Sequence, residues 1–264
     1  MTTMPFEARR FQSTAAYYLR YRIPYPDSLI TRVAERSGLK AGDPVLDLGC
    51  GPGQLGIAFA RLQGATVTAM DPEPEMLAAA QADAKAAGVG ITLRQGSSYD
   101  LGADIGRLHL CIMGRSFHWM DRPATLAALD RLIEPGGAVV LFHDKTILAT
   151  PDWRGIVEKL AETFSPERHE QQQLRRSKAW APHEAMLLAS PFCNLERIGI
   201  VREYQRDIED IVGRTFSMSS TSPQALGDKR ADFEAALRAE LLEVAPDGKI
   251  TEIVEANGLL AFRD

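Results

Sequence analysis

From Val45 to His143 short apolar runs alternate with longer amphipathic ones, the rhythm of parallel βαβ units. Strands are expected at 44–49 (PVLDLG), 65–70 (ATVTAM), 91–95 (ITLRQ), 108–113 (LHLCIM) and 138–143 (AVVLFH), with helices over 54–62, 74–87 and 125–133. Gly88 and Gly90 end the second of these helices as C-cap glycines do, and Pro135-Gly136-Gly137 forms a tight turn before the fifth strand. After Asp144 the rhythm breaks. Residues 152–190 read as mainly helical and polar, with Trp153 and Trp180 interspersed; a sixth strand follows at 195–204, a helical excursion over 208–244, and a last strand near 250–262. Ahead of the first strand lie a Tyr-rich segment and a helix over 28–36. The pattern predicts an α/β protein with one doubly wound, mostly parallel seven-stranded sheet and helical cap insertions. Residues 1–40 would form an N-terminal cap, 41–145 a ligand-binding core, and 146–264 further cap insertions plus the last strands of the same sheet.

Composition narrows the partners. The 264 residues are 45% hydrophobic and 25% charged with a net charge of −5, and no basic stripe suits a polyanion, so long nucleic acids are not expected. The one dense positive cluster, Arg175-Arg176 with Lys178, is short and Gln-flanked. Cys50, Cys111 and Cys193 are odd in number and unrelated in spacing, which fits neither a disulfide framework nor a zinc site and suits a reducing compartment. The MTTMPFEARR start lacks the apolar segment of a signal peptide, and no apolar run approaches the roughly 20 residues that cross a bilayer. A cytoplasmic monomer or homodimer without metal or membrane partner is the expectation.

The strongest local signal is Asp47-Leu48-Gly49-Cys50-Gly51-Pro52-Gly53, where a strand meets a helix through three glycines. Such turns let a nucleotide-like ligand approach the backbone closely. Asp71 stands at the end of the second strand, where a carboxylate accepts from both ribose hydroxyls; an ordinary helix N-cap is the competing role, and the two are compatible. Asp47 inside the turn would repel a diphosphate, and Pro52 occupies the place where the helix would begin. Both features point away from NAD and towards S-adenosylmethionine, which carries an ammonium and a sulfonium.

The run VLDLGCGPG resembles the first motif of class I S-adenosylmethionine-dependent methyltransferases, and VTAMDPEPEML resembles their second-strand motif. LIEPGG before the fifth strand, YRIPYP at 21–26 and FHWMDR at 117–122 extend the likeness to a bacterial small-molecule branch, trans-aconitate methyltransferase-like and ubiquinone-biosynthesis methyltransferase-like. The resemblance implies a Rossmann-like methyltransferase fold, S-adenosylmethionine as cofactor with S-adenosylhomocysteine as product, and a small methyl acceptor. It implies that Gly49, Gly51 and Gly53, with Cys50 as a small filler, shape the turn around the methionine end, and that Asp47 orients the amino group directly or through water. It places Asp71 on the ribose, Pro72 and Met76 beside the adenine, Ser97 and Ser98 at the adenine edge, and Gly114 and Arg115 at the methyl-donor end. Tyr17, Tyr21 and Arg22 would close over the cofactor, Arg22 meeting a carboxylate. Two positions depart from the pattern: Ser97 stands near where many relatives carry an acid, and His109 replaces the usual Asp opening the fourth strand.

Methyl transfer needs alignment, exclusion of water and, for many acceptors, a general base. His118 and His143 follow the fourth and fifth strands at the ligand-facing end of the sheet and are the candidate bases; packing under the cofactor is the alternative for His118. His169 and His183 fall in polar helical stretches and read as solvent-facing. Arg175, Arg176 and Trp180 are candidate contacts to an acidic or aromatic acceptor, or members of a solvated helix face. RNA or protein methylation, non-catalytic binding of the cofactor and a Rossmann dehydrogenase are the rival readings; Met113-Gly114-Arg115-Ser116-Phe117-His118 carries no Asn-Pro-Pro-Tyr-type motif of the first. Asp71→Ala is expected to weaken cofactor binding about tenfold or more, because each lost charge-assisted hydrogen bond is worth roughly 1.5–3 kcal/mol. Unchanged affinity in a folded variant removes the ribose assignment.

Overall fold

The structure, a computed structural model, describes residues 13–167, 170, 173–174 and 177–263. Seven strands form one sheet: β1 (Pro44–Leu48), β2 (Thr66–Asp71), β3 (Thr92–Gln95), β4 (Leu108–Gly114), β5 (Ile133–Thr150), β6 (Asn194–Asp207) and β7 (Lys249–Phe262). Their order is β3-β2-β1-β4-β5-β7-β6. The first five pair in parallel, and β7 runs antiparallel between β5 and β6. The chain leaves β1 towards β2 and β3, then returns to β4 on the other side. The order therefore reverses between β1 and β4, and a crevice opens beyond their carboxyl ends, where open α/β sheets bind ligands.

Alternation along the central strands sorts their side chains onto two buried faces. Leu46, Leu48, Cys111, Met113, Val139 and Leu141 pack against Leu126 and Leu129 of α5 (Arg122–Leu132) and against Met186 and Leu187 of α7 (His183–Leu188). Val45, Val67, Leu110, Ile112, Val140 and Phe142 pack against α2 (Asp27–Ser37) and α3 (Gln54–Gln63) through Leu29, Ile30, Val33, Leu55 and Phe59. α4 (Pro74–Ala86) lies between β2 and β3. The seven strands and both helical layers agree with the pattern read from the sequence.

The differences lie beyond Asp144. The sequence places the end of the fifth strand at His143, yet β5 runs to Thr150, paired with β7 from Ala138↔Phe262 to Thr150↔Thr251. β6 likewise extends to Asp207. Polar and charged side chains interrupt these tails, but an antiparallel ladder is made by backbone groups and continues regardless. A third core covers the extension: Trp153, Val157 and Leu160 of α6 (Trp153–Phe164), Ile211 and Phe216 of α8 (Ile208–Phe216), and Phe233, Leu237 and Leu241 of α9 (Arg230–Val244) pack with Ile250. The expected excursion over 208–244 is thus two helices, with a single turn at Pro223–Leu226 between them. An unforeseen helix, α1 (Ala15–Tyr21), crosses α8 where Gly213 leaves room: a Cβ there would lie 2.3 Å from the Tyr21 ring. Among the described residues no helix is long and apolar enough to cross a membrane.

Glu252 ties the third core to the sheet. It is fully buried, accepts the Trp153 indole N–H at 3.1 Å and pairs with Arg214 at 2.8 Å. Removing one partner of such a pair strands a buried charge. Glu252→Ala is expected to lower the unfolding free energy by about 3–5 kcal/mol in chemical denaturation. Glu252→Gln, which keeps an acceptor for Trp153 and Arg214, should lose clearly less.

Candidate active site

A cavity of about 450 Å³ opens in the crevice. Its floor is the turn after β1. The N–H groups of Gly49 and Cys50 both donate to the Met70 carbonyl, at 2.8 and 3.0 Å, which pins the turn to the end of β2. Gly49 adopts φ +67°, and a Cβ on it would lie 2.6 Å from that of Ser116, whose hydroxyl donates to the Leu48 carbonyl at 2.8 Å. Only glycine permits this approach of the two loops.

Asp71 leaves β2 at the cavity wall. One carboxylate oxygen accepts from Gly51 N–H at 2.8 Å, the other from Glu73 N–H at 3.0 Å. Burial pushes its pKa up to about 6 against the pull of those two bonds. Asp71 therefore braces the turn, as an Asx group would, while keeping lone pairs for a ligand. Asp47 is placed differently. It is buried beneath the turn and accepts from the Gly56 N–H at 2.8 Å in the first turn of α3. Burial, with repulsion from Asp71 as a smaller contribution, pushes it up to about 7. Neither Asp47 nor Gly53 is on the cavity wall, and Asp47 supports the turn from beneath.

At one end the wall comprises Pro72, Glu73, Met76, Ser97, Ser98 and Tyr99. The Ser97 hydroxyl is engaged in a capping box with Asp100, at 2.9 Å from its carboxylate. Tyr99 escapes sequence reading because it follows a capping serine in a short 3₁₀ turn rather than lying on a periodic element.

The other end is built by Tyr18, Arg22, Gly114, Arg115, Ser116, His118 and residues 143–146. Tyr17 and Tyr21 do not line it. Tyr17 packs on Phe216 and accepts from Arg230 at 2.7 Å, and Tyr21 packs on Gly213. A helix turns successive residues by about 100°, so Tyr18 and Arg22, four apart, share the inward face instead. Arg115, in a left-handed conformation with φ 57°, clasps this segment to the sheet. It donates to the Asp144 carboxylate, to the Tyr18 hydroxyl at 3.2 Å and to the Ile23 carbonyl at 2.9 Å. Arg115 and Arg214 hold the Asp144 carboxyl well below the usual carboxylate range despite its burial.

His118 and His143 also border a second cavity of about 450 Å³, walled by Met113, Phe117, Leu141, Trp180 and His183. The two cavities meet at Arg115, Ser116, His118 and His143. Burial depresses the His143 pKa, so the ring is neutral at pH 7, and among the described residues it makes no hydrogen bond. His183 is not solvent-facing: its ring lies 5.1 Å from Phe117 and 6.3 Å from His118. Trp180 stacks on the Arg122 guanidinium at 4.1 Å. Cys50 lines the cavity as an inert thiol, its pKa raised by burial and by both aspartates. Arg175, Arg176 and His169 lie outside the described residues. Sequence reading missed Lys145, Thr146, Arg154, Arg214, Ser217 and Ser219 on the wall, because the extension of β5, the start of α6 and the end of α8 bring them there from distant positions.

Comparison with known proteins follows this geometry. Residues 45–137 match the family model described as a methyltransferase domain. The chain is 37% identical over 109 residues to the ubiquinone biosynthesis O-methyltransferase of Pseudomonas savastanoi pv. phaseolicola, covering 40% of this chain and 46% of that one. It is 31% identical over 173 residues to an uncharacterized Mycobacterium tuberculosis protein, covering 65% and 57%. The chain thus spans about half the length of the curated relatives it matches. Its fold is similar to that of a S-adenosylmethionine-dependent methyltransferase from Geobacter sulfurreducens in complex with S-adenosylhomocysteine, with a TM-score of 0.53, 18% identity and coverage of 97% and 99%. The corresponding Thiobacillus denitrificans enzyme, also in complex with S-adenosylhomocysteine, gives 0.52, 16%, 97% and 99%. Residues 45–137 thus match a methyltransferase domain, set in a fold similar to that of solved S-adenosylmethionine-dependent methyltransferases.

Proposed function

We propose that the protein transfers a methyl group from S-adenosylmethionine to a small-molecule acceptor. The observation that carries this reading is the junction of two cavities at His118 and His143, one walled for an adenosyl ligand and the other for an acceptor. The residues present fit the cofactor. Asp71 retains lone pairs for the ribose hydroxyls, Pro72, Met76 and Tyr99 form a slot for the base, and beside Gly51 a Cβ would meet only the Met76 sulfur, at 4.0 Å. The buried Nε of Arg22 has no hydrogen-bond partner among the described residues and suits the cofactor's carboxylate. When bound, the cofactor supplies a methyl group on a sulfonium leaving group.

The chain's own residues then align and deprotonate. Trp119 and Met120 on the first cavity and Phe117 on the second close the walls against water, and alignment alone contributes up to roughly 7–11 kcal/mol. His143 takes the acceptor proton, the role its neutral ring and its place on both cavity walls allow; His118, packed between Trp119 and His183, positions the acceptor. The net charge of −5 and the bounded cavity favour a small acceptor over RNA or protein.

Isothermal titration of the protein with S-adenosylmethionine, S-adenosylhomocysteine and NADH tests the reading directly. Micromolar binding of both adenosyl ligands without NADH is expected, and binding of NADH alone would overturn it. The affinity for S-adenosylhomocysteine should fall as pH drops through about 6, since protonated Asp71 loses its acceptor character, and stay level from pH 7 to 8. An Asp71→Asn variant should lack that fall. With an acceptor found by a labelled-methyl screen, His143→Gln should reduce kcat by about 10²–10⁴ at unchanged cofactor affinity. An undiminished rate would remove His143 as the base.

A further inference from the structure

Arg122 opens α5 and is 1% exposed, yet the methyl transfer proposed above gives it no part. Its position is unfavourable for a cation on two counts. The first residue of a helix faces the positive end of the macrodipole. A buried guanidinium also needs a counter-charge, and among the described residues no carboxylate supplies one: burial alone shifts its pKa, downward. The adjacent Asp121 carboxylate is turned back onto the helix, where it accepts from the Ala124 N–H at 3.1 Å.

What the guanidinium meets instead is the back of the second cavity's wall. Trp180 and His183 line that cavity beside Phe117 and His118, whereas Arg122 lines neither cavity. One Nη of Arg122 donates to the Ala181 carbonyl at 2.6 Å and lies 3.4 Å from His183 Nδ1. Its guanidinium carbon stands 4.1 Å from the centre of the Trp180 ring. Three of four successive residues thus rest on one side chain. Arginine suits this task because its flat fork covers an indole with its face while donating along its edge.

The contact with His183 also decides the chemistry of that ring. Arginine has donors and no acceptor, so the Nδ1 facing it offers its lone pair, and the ring's proton sits on Nε2. A ring protonated at both nitrogens would set two donors against each other. So oriented, the ring packs against Phe117 at 5.1 Å and stacks with His118 at 6.3 Å, and His118 stands at the junction of the two cavities.

We infer that Arg122 is a positioning residue for the methyl acceptor: it holds Trp180 and His183 as a wall of the second cavity and fixes His183 with its proton on Nε2. The inference rests on the methyltransferase reading of the same site. A supporting residue of this kind acts on the occupant of the cavity it shapes and leaves the neighbouring cavity unchanged.

The test uses the protein saturated with S-adenosylhomocysteine and indole as an uncharged probe of the second cavity. Nitrogen-15 NMR of labelled histidine and tryptophan side chains follows the titration, with His183 and Trp180 assigned through His183→Gln and Trp180→Phe. In the wild type at pH 8, His183 should carry its proton on Nε2, and indole should shift both side chains. Arg122→Met, which keeps length and removes the donors, should bind indole about tenfold more weakly while its S-adenosylhomocysteine affinity stays within about twofold. Arg122→Lys, which keeps a donor without the flat face, should recover part of the loss. The tautomer is read on the wild type, so a poorly folding Arg122→Met variant does not remove the test. A proton on Nδ1, no response of the wild-type side chains to indole, or equal indole affinity in wild type and Arg122→Met each overturns the inference. Parallel loss of indole and S-adenosylhomocysteine binding in the variants, the mark of a merely structural role, overturns it as well. Failure of the wild type to bind S-adenosylhomocysteine at the outset overturns the underlying function instead, so the two failures are distinguishable.

Discussion

Asp144 is the charge on which the architecture of the site depends. It stands where β5 leaves the parallel core and receives Arg115 from the loop after β4 and Arg214 from α8. Arg115 carries the constraint on to Tyr18 and Ile23, and Arg214 carries it to Glu252 on β7. One carboxylate thus joins the N-terminal segment, the parallel half of the sheet, the cap helices and the antiparallel half. Such a network is held together by consequence as much as by attraction. Removing any member leaves another charge buried without a partner, at a cost of several kcal/mol.

The same network divides the cavity electrically. At the β1–β2 end, Asp47 and Asp71 are raised above the ordinary carboxylate range, because burial outweighs the backbone N–H groups they accept. At the β5 end guanidinium groups prevail and Asp144 is held ionised. A ligand spanning the two ends meets hydrogen-bond acceptors for hydroxyls on one side and donors for carboxylates on the other. For the cofactor proposed above, that polarity would set the orientation, and the turn beneath it is already fixed by Met70, Ser116 and Asp71.

The extension of β5 gives the site its walls. A parallel sheet ending at His143 would leave the crevice open, whereas the strand continues beside β7 and carries Lys145 and Thr146 along the rim. The third hydrophobic core then seats α6 and α8 over that rim and delivers Arg154, Arg214, Ser217 and Ser219. Trp153 and Glu252 couple this cover to the sheet, so packing of the cap and charge balance in the cavity are set by the same few residues.

What the sequence by itself determined was local and periodic. The apolar runs of β1, β2, β4 and the start of β5 mark strands buried on both faces, and the glycines after β1 with Asp71 after β2 mark a ligand turn, because each rests on neighbours within a few residues. Gly114, Arg115 and His118 were legible for the same reason, as residues at or just past the end of β4, and His143 as the residue where the parallel pairing of β5 stops. The tertiary structure alone decided which N-terminal side chains face inward, Tyr18 and Arg22 rather than Tyr17 and Tyr21, since that depends on the rotation of a short helix against Gly213. It also decided that Asp47 serves the turn from below, that His183 packs on His118, and that cations as distant as Arg22, Lys145 and Arg214 share one wall. Periodicity reports which face of an element is apolar. Long-range pairing and charge networks determine what that face meets.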